Sequence, residues 1–150
     1  MDTQNSLRDG LLTVVLPAYN EQDSVPLAAD TICPLLEKEG IRHEILFVND
    51  GSRDGTWKAI QAQTARYPQV RGVCFSRNFG KEAAIFAGLA QAKGDCAVVL
   101  DCDLQHPPEK IVEMYRLWQQ GYQVVEGVKV TRGKESPLHT LAAKTFYHFI

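Results

Sequence analysis

The sequence predicts an α/β fold with a mostly parallel sheet and helices on both faces. Two observations support this class. Short apolar runs, each about the length of one buried strand, recur along the chain, and stretches with helical periodicity lie between them. Because strand–helix–strand steps favour right-handed crossovers, the strands are expected to lie parallel in one sheet. With 150 residues, the chain is expected to form a single domain over residues 1–150.

The predicted strands are continuous apolar runs bounded by proline, glycine or polar residues. Each is too short for a typical helix, and each lacks the alternation of a strand with one solvent-facing side. The pattern therefore indicates strands that are buried on both faces. The runs cover residues 11–17, 44–48, 70–75, 96–100 and 123–128.

A first helix is predicted directly after the first strand. Ser24 is the expected N-cap, and Pro26 falls in the first turn, where proline is tolerated. One face of this helix carries Ala28, Ile32, Leu35 and Leu36. Pro34 conflicts with a regular helix, because an interior proline loses a hydrogen bond at a cost of about 3 kcal/mol. We therefore expect a kink or an early end at Pro34.

Two further helices are predicted in the middle of the chain. Asp54 is expected to cap the second, which runs to about Tyr67 and is ended by Pro68. The third covers residues 79–92 and is apolar nearly all round. A helix of that kind is typically buried between neighbouring elements.

The last third of the sequence carries two more helical stretches. One begins at Pro107 and Pro108, which are acceptable at a helix N-terminus, and runs to Gly121. The other is predicted for residues 138–150. Its end, residues 141–150, mixes apolar and basic side chains, so both an interfacial helix and a helix packed on the sheet are open interpretations.

Composition and charge exclude several classes of protein. The 16 Lys and Arg against 18 Asp and Glu give a formal charge of −2, which argues against binding nucleic acid through bulk positive charge. No segment approaches the roughly 18 apolar residues of a membrane span, and the N-terminus lacks a secretory leader. The four cysteines form no CxxC pair, which indicates reduced thiols and a cytoplasmic location.

Acidic residues follow three of the predicted strands. Glu21 comes after the first, Asp50 after the second, and Asp101 and Asp103 after the fourth. Because ligands of open parallel sheets bind beyond the carboxyl ends of the strands, these side chains are expected to converge there. Carboxylates gathered without nearby Lys or Arg repel one another, and a divalent cation is the simplest compensation.

The candidate ligands of that cation contain only oxygen donors. Asp103 is the first candidate, and Asp101 and Gln105 are further ones. Such a donor set suits Mg²⁺ or Mn²⁺, which keep waters and accept additional oxygens from the phosphates of a substrate. The pattern therefore favours a diphosphate ligand.

Simpler explanations exist for the individual residues. Asp50 with Gly51 also fits a turn, and a DxD triplet occurs by chance in many proteins. A phosphatase with an aspartyl nucleophile is a competing interpretation, although Gln105 stands where Thr or Val is typical. Cys102 is interpreted as a small spacer, because no base partner for a nucleophile lies nearby. The P-loop, GxGxxG, HExxH and GxSxG motifs are absent.

Four ordered segments then resemble a known family. They are VVLPAYNE (residues 14–21), FVNDGSRDGT (47–56), SRNFGKEAAIFAGL (76–89) and VVLDCDLQHPPE (98–109). These segments are similar to the inverting family 2 glycosyltransferases of the GT-A fold, a Rossmann-like nucleotide-binding fold. Within that family, RNFGKEAA and DLQHPPE most resemble polyprenyl-phosphate sugar transferases of the dolichyl-phosphate mannose synthase and undecaprenyl-phosphate glucosyltransferase type.

The resemblance implies an activity and a set of site residues. The activity is transfer of a sugar, with inversion and Mg²⁺ or Mn²⁺, from a UDP- or GDP-linked donor to a polyprenyl phosphate in cell-envelope glycosylation. The implied nucleotide-binding residues are Pro17, Tyr19, Glu21, Asp50 and Asp101. The implied catalytic residues are Asp101 and Asp103, with Asp103 and Gln105 as metal ligands. Arg77 and Lys81 receive only a supporting role near the nucleotide.

The acceptor side is less complete than the family pattern. Residues 129–135 (KVTRGKE) resemble the family's basic loop, in which Arg132 and Lys134 are available to an acceptor phosphate. The chain ends before the family's later segments, so the C-terminal part of the fold is expected to be missing. A catalytically silent nucleotide-sugar-binding fragment is therefore the alternative function. Peripheral contact with the inner face of the membrane and self-association through exposed apolar surface are further expectations.

Overall fold

The structure is a computed structural model, and it describes residues 7–128 together with the backbone of residues 147–149. Strands and helices alternate along the described chain. Their order is β1 (Leu12–Ala18), α1 (Ser24–Lys38), β2 (His43–Asn49), α2 (Thr56–Arg66), β3 (Val70–Cys74), α3 (Lys81–Gln91), β4 (Cys96–Val99), α4 (Glu109–Gln119), β5 (Val125–Gly127) and β6 (Tyr147–Phe149). The predicted α/β class is confirmed.

The strands form one six-stranded sheet in the order β3-β2-β1-β4-β6-β5. The strands β1 to β4 are parallel, with Leu12 of β1 level with His43 of β2 and with Cys96 of β4. Strand β6 pairs antiparallel with both β4 and β5. Because β1 lies between β2 and β4, the carboxyl ends of these three strands are neighbours at one edge of the sheet.

Helices cover both faces of the sheet, as predicted. Alternate residues of β1 point to opposite faces, so Val14 and Leu16 join one core cluster while Val15 joins another. The larger cluster includes buried residues of α1, α2 and α4, and the smaller one includes Ala84 of α3. Within the described residues, α3 thus covers its face of the sheet alone.

Helix α1 differs from the prediction in its N-cap residue and in the early end expected at Pro34, while the alternative of a kink at Pro34 stays a prediction. It continues through Pro34 to Lys38, so the predicted early end is wrong. Pro34 and Asp30, whose carbonyl loses its helical partner, are both exposed, and water can satisfy that carbonyl. Asp23 rather than Ser24 is the N-cap residue, and its side chain makes no capping hydrogen bond.

Helix α3 is not buried on all sides, so that prediction is also wrong. Only Ala84 and Gly88 are fully buried within it, while the Phe86 side chain is 73% exposed. The apolar sequence predicts contacts on every side. In the described part of the chain, however, the sheet meets only one side of this helix.

The C-terminal helix prediction fails where the structure tests it. Tyr147–Phe149 form strand β6, which pairs through Phe149 with Val98 and Val125, and not the end of a helix. The remainder of the helical prediction for residues 138–150, like Arg132 and Lys134, lies outside the described residues. Among the described helices, none has the length and apolar character needed to cross a bilayer.

At the end of the sheet opposite the strand carboxyl ends, a buried carboxylate joins neighbouring segments of the chain. Glu44 of β2 accepts a hydrogen bond from the Thr13 hydroxyl at 2.8 Å and from the Lys93 backbone N–H at 2.8 Å. The Arg71 guanidinium donates to both of its oxygens at 3.2 Å. Burial tends to raise the pKa of Glu44, but these bonds and the Arg71 charge outweigh it and lower that pKa.

This shift predicts a pH-dependent stability. A lowered pKa in the folded state adds stability above the unfolded value of 4.5, and this contribution is lost as the pH falls through the folded value. We expect Glu44→Gln to lower the free energy of unfolding by about 2 kcal/mol at pH 7. The difference from wild type should shrink below pH 4.5, as measured by urea denaturation at several pH values. A difference that stays constant from pH 7 to pH 3 would contradict this role.

Candidate functional site

An open pocket with a volume of about 240 Å³ lies at the carboxyl ends of β1, β2 and β4. It is lined by Pro17, Ala18, Tyr19, Glu21, Asp50, Lys81, Asp101, Cys102 and Asp103. The structure therefore brings together the four carboxylates that the sequence predicted to converge. The predicted residues Pro17 and Tyr19 share the same pocket.

The loops after β1 and β2 are joined by hydrogen bonds that fix the pocket wall. The Asn20 backbone N–H donates to the Ser52 hydroxyl at 2.9 Å, and the Arg53 N–H donates to Asn20 Oδ1 at 2.9 Å. The Glu21 N–H donates to the Thr56 hydroxyl at 2.8 Å. Asn20 has a φ of 52°, a conformation that asparagine tolerates better than most residues. These contacts set the positions of Tyr19 and Glu21 at the pocket.

Asp54 acts as the sequence predicted, at the start of α2. Its Oδ1 accepts a hydrogen bond from the Thr56 backbone N–H at 2.9 Å and another from the Thr56 hydroxyl. The assigned N-cap residue is Gly55, one position later. Asp54 is therefore a helix-capping residue and does not line the pocket.

Asp50 is buried, and its carboxylate holds the segment before α3. The backbone N–H groups of Phe79 and Gly80 donate to Oδ1 at 2.8 Å and 3.2 Å. The Asn78 side-chain amide donates to Oδ2 at 3.1 Å. The sequence predicted that Asp50 lies at the pocket but did not predict these hydrogen bonds, because a partner 28 residues away leaves no signal in the local pattern. The geometry makes Asp50 the anchor of the α3 N-terminus.

Gly51 is required by the same contact. It has a φ of +64°, and a Cβ atom at this position would lie 2.1 Å from the backbone carbonyl carbon of Arg77. A residue with a side chain would therefore displace the loop that carries Asn78. Gly51 lies in a bend, which accords with the turn interpretation, and Asp50 beside it lines the pocket.

Asp101 forms an ion pair with Lys81, the first residue of α3. The distance between Lys81 Nζ and Asp101 Oδ1 is 2.5 Å. The carboxylates were expected to converge without a nearby Lys or Arg, and that expectation is wrong. Lys81 follows Gly80 directly at the start of a helix, and this position is the sequence feature that could have indicated a cation near the carboxylates. Arg77, in contrast, does not line the pocket, and its guanidinium lies 4.2 Å from the ring centre of Phe79.

Cys102, which the sequence predicts to be a spacer, is buried at the pocket. Burial raises the pKa of its thiol to about 12, with further increases from the charges of Glu21, Asp103 and Asp101. A thiol with that pKa is almost entirely protonated at neutral pH. Cys33 and Cys96 are also free and buried, and burial raises the pKa of both thiols. Cys74 is free and exposed.

Asp103 and Gln105 sit on a tight turn after β4. Leu104 between them has a φ of 54°, an uncommon conformation for a leucine, and the Gln105 N–H donates to Asp103 Oδ1 at 3.3 Å. Asp103 is exposed in the pocket. Gln105 instead lines a neighbouring groove of about 480 Å³ between α4 and β5. The two predicted metal ligands are thus close in the chain, but they line two different cavities.

The carboxylate oxygens of the pocket suit a hard divalent cation. The described residues contain no group of three His, Cys, Asp or Glu side chains that could hold a metal ion by themselves. Asp101 and Asp103 nevertheless offer carboxylate oxygens to an open pocket. This arrangement suits a hard cation such as Mg²⁺, which keeps waters and completes its coordination with oxygens of a bound phosphate.

Comparison with known proteins identifies sequence relatives. The family model described as "Glycosyl transferase family 2" matches residues 13–148. The chain is 38% identical over 136 residues to the prophage bactoprenol glucosyl transferase homolog of Escherichia coli, covering 91% of this chain and 44% of that protein. It is 37% identical over 138 residues to the uncharacterized glycosyltransferase YkcC of Bacillus subtilis, covering 92% and 43%. The chain thus spans less than half the length of these relatives.

Solved structures share the fold. Glucosyl-3-phosphoglycerate synthase from Mycobacterium tuberculosis, solved with Mn²⁺, UDP and glucosyl-3-phosphoglycerate, superposes with a TM-score of 0.64 at 27% identity, covering 82% of this chain and 44% of that chain. The mannosyltransferase PcManGT from Pyrobaculum calidifontis, solved with GDP-Man and Mn²⁺, gives a TM-score of 0.67 at 22% identity, covering 91% and 39%. At that identity the second likeness concerns the fold alone.

Proposed function

The chain belongs to glycosyl transferase family 2, and on that premise we propose that it binds a nucleoside-diphosphate sugar and transfers the sugar, with inversion, to a polyprenyl phosphate. The observation that carries this proposal is the pocket at three neighbouring strand ends, where four carboxylates and one lysine face the same space. A site of this composition suits a diphosphate accompanied by a divalent cation.

The donor class is supported by a structural relative. The mycobacterial synthase, 27% identical to this chain, was solved with UDP and Mn²⁺. By the family resemblance, Pro17, Tyr19 and Glu21 surround the base and ribose, and Asp101 lies toward the ribose and diphosphate. These residues line one continuous pocket, as that assignment requires.

The acceptor class is supported by the sequence relatives. Several of them are named bactoprenol glucosyl transferases, among them those of Shigella flexneri and its phages. A lipid phosphate acceptor is already anionic near neutral pH, so its attack on the sugar needs no strong general base. The pocket accords with this chemistry, because no histidine is among the described residues that line it and burial raises the pKa of the Cys102 thiol to about 12. Arg132 and Lys134 remain the proposed contacts to the acceptor phosphate.

The metal is proposed to be Mg²⁺ or Mn²⁺, held by Asp103 with Asp101 and Gln105 as further oxygen donors. When bound, such an ion stabilises the negative charge that develops on the departing diphosphate. Asp103 is exposed, and within the described residues its carboxylate accepts a long hydrogen bond of 3.3 Å from a backbone N–H, so it is accessible to a ligand. Gln105 can take part only if its side chain turns from the groove toward Asp103.

Asp50 and the loop that it holds before α3 orient the donor. The bonds from Asp50 to the N–H groups of Phe79 and Gly80 hold the N-terminus of α3 beside the pocket. The positive end of the helix dipole lies there, which favours an anionic ligand. Gly51 lets this loop approach closely. The chain's own groups therefore bind and align the diphosphate.

The proposal is tested by assaying transfer and donor hydrolysis. UDP-glucose and GDP-mannose are incubated with undecaprenyl phosphate, with Mn²⁺ or with a chelator. We expect a glycosyl phospholipid product with one donor, and at least about a hundredfold lower rate in chelator. Binding of a nucleoside diphosphate without transfer or hydrolysis would support the alternative of a silent donor-binding fragment. Equal rates with and without chelator would contradict the metal assignment.

A further inference from the structure

Lys81 carries the only positive charge among the described residues that line the pocket. Its ammonium lies 2.5 Å from Asp101 Oδ1, and its side chain is 60% exposed. An exposed lysine retains many rotamers, and exposed ion pairs contribute little to stability. The pair can therefore open without disturbing the fold.

The base of this side chain, in contrast, is fixed. Lys81 follows Gly80 directly, and the Gly80 N–H is bonded to Asp50 at 3.2 Å. The Phe79 N–H is bonded to the same buried carboxylate at 2.8 Å. The ammonium therefore moves only within the reach of one side chain, and that reach includes the pocket that Lys81 lines.

A divalent cation and the ammonium compete for the same carboxylate. A Mg²⁺ ion binds carboxylate oxygens at about 2.1 Å, so an ion on the oxygen that Lys81 contacts would lie within about 5 Å of the ammonium. Two positive groups at that distance repel each other. A diphosphate in the pocket reverses the balance, because its oxygens attract both the ion and the ammonium.

We propose that the Lys81 ammonium pairs with the Asp101 carboxylate in the absence of donor, and that it contacts the diphosphate instead when the donor binds with its metal. This inference rests on the function proposed above. Lys81 then opposes binding of the metal alone and favours binding of the metal together with a nucleoside diphosphate. The side chain thereby couples the two binding events.

The test compares two affinities in one variant, Lys81→Met. We expect Mn²⁺ alone to bind about fivefold more tightly than to wild type, because its competitor is gone. At saturating Mn²⁺, we expect UDP or GDP to bind at least about tenfold more weakly, because a charge-assisted contact is lost. Both affinities are measured by calorimetry. Lys81→Arg should restore most of both values, because it keeps the charge.

Lys58→Met is the matched control, since Lys58 is an exposed lysine on α2 that does not line the pocket. It should change neither affinity. Effects of Lys81→Met in the same direction on both ligands, or unchanged Mn²⁺ affinity, would overturn the inference while leaving the proposed function intact. A wild-type chain that binds neither UDP nor GDP with Mn²⁺ would overturn both.

Discussion

Asp103→Asn is expected to reduce the affinity for UDP or GDP at saturating Mn²⁺ by at least about a hundredfold. The asparagine keeps one oxygen but loses the negative charge, and a neutral amide is a far weaker ligand for a hard divalent cation than a carboxylate. Asp103 is exposed, and its carboxylate accepts a long hydrogen bond from the Gln105 N–H at 3.3 Å, so folding should be preserved. The free energy of unfolding should change by less than about 0.5 kcal/mol.

Calorimetric titration of the variant checks this result. Asp23→Asn serves as the control, because Asp23 is an exposed aspartate whose side chain makes no capping bond and does not line the pocket. The affinity of the Asp23→Asn variant for both nucleotides should equal that of wild type. If Asp103→Asn also retains wild-type affinity in Mn²⁺, Asp103 is not the metal ligand.

Asp50→Asn is expected to lower the free energy of unfolding by about 3 kcal/mol. The buried carboxylate accepts hydrogen bonds from two backbone N–H groups and one side-chain amide. An asparagine side chain presents an NH₂ group to at least one of these donors, which leaves buried donors unpaired. Denaturant unfolding measures the loss.

The same substitution should weaken nucleotide binding, because the loop that Asp50 holds leads directly into Lys81. Asn78→Ala is the graded control, since it removes the side-chain amide that donates to Asp50 Oδ2 and to the Asp50 backbone carbonyl, and leaves the carboxylate and both backbone bonds in place. It should cost about 1 kcal/mol. An Asp50→Asn chain as stable as wild type would show that this anchor is not required.

The predicted fold is confirmed where burial alone determines it. The apolar runs became strands with boundaries shifted by only a few residues. Strands β1, β2 and β4 are largely buried on both faces, as predicted, whereas β3 and β5 are only partly buried, so the prediction of full burial is wrong for those two. The structural likenesses also confirm the GT-A fold implied by the four segments. The convergence of Glu21, Asp50 and Asp103 followed from the same topology, since neighbouring parallel strands end at one edge.

The errors arise where a contact between distant segments decides the outcome. Pro34 is tolerated because its side of α1 faces solvent, and Phe86 is exposed because the sheet lies on only one side of α3. Neither fact is visible in local periodicity. The Lys81 pair with Asp101 joins residues that are 20 positions apart, and the strand at Tyr147–Phe149 depends on pairing with β4 and β5.

The affinity of the wild-type chain for UDP and GDP, measured with Mn²⁺ and with chelator, tests the central claim most directly. If the carboxylates at the three strand ends form a metal-dependent diphosphate site, one nucleotide binds in Mn²⁺ and its affinity falls at least about a hundredfold in chelator. Binding of equal strength under both conditions, or no binding of either nucleotide, would contradict the account.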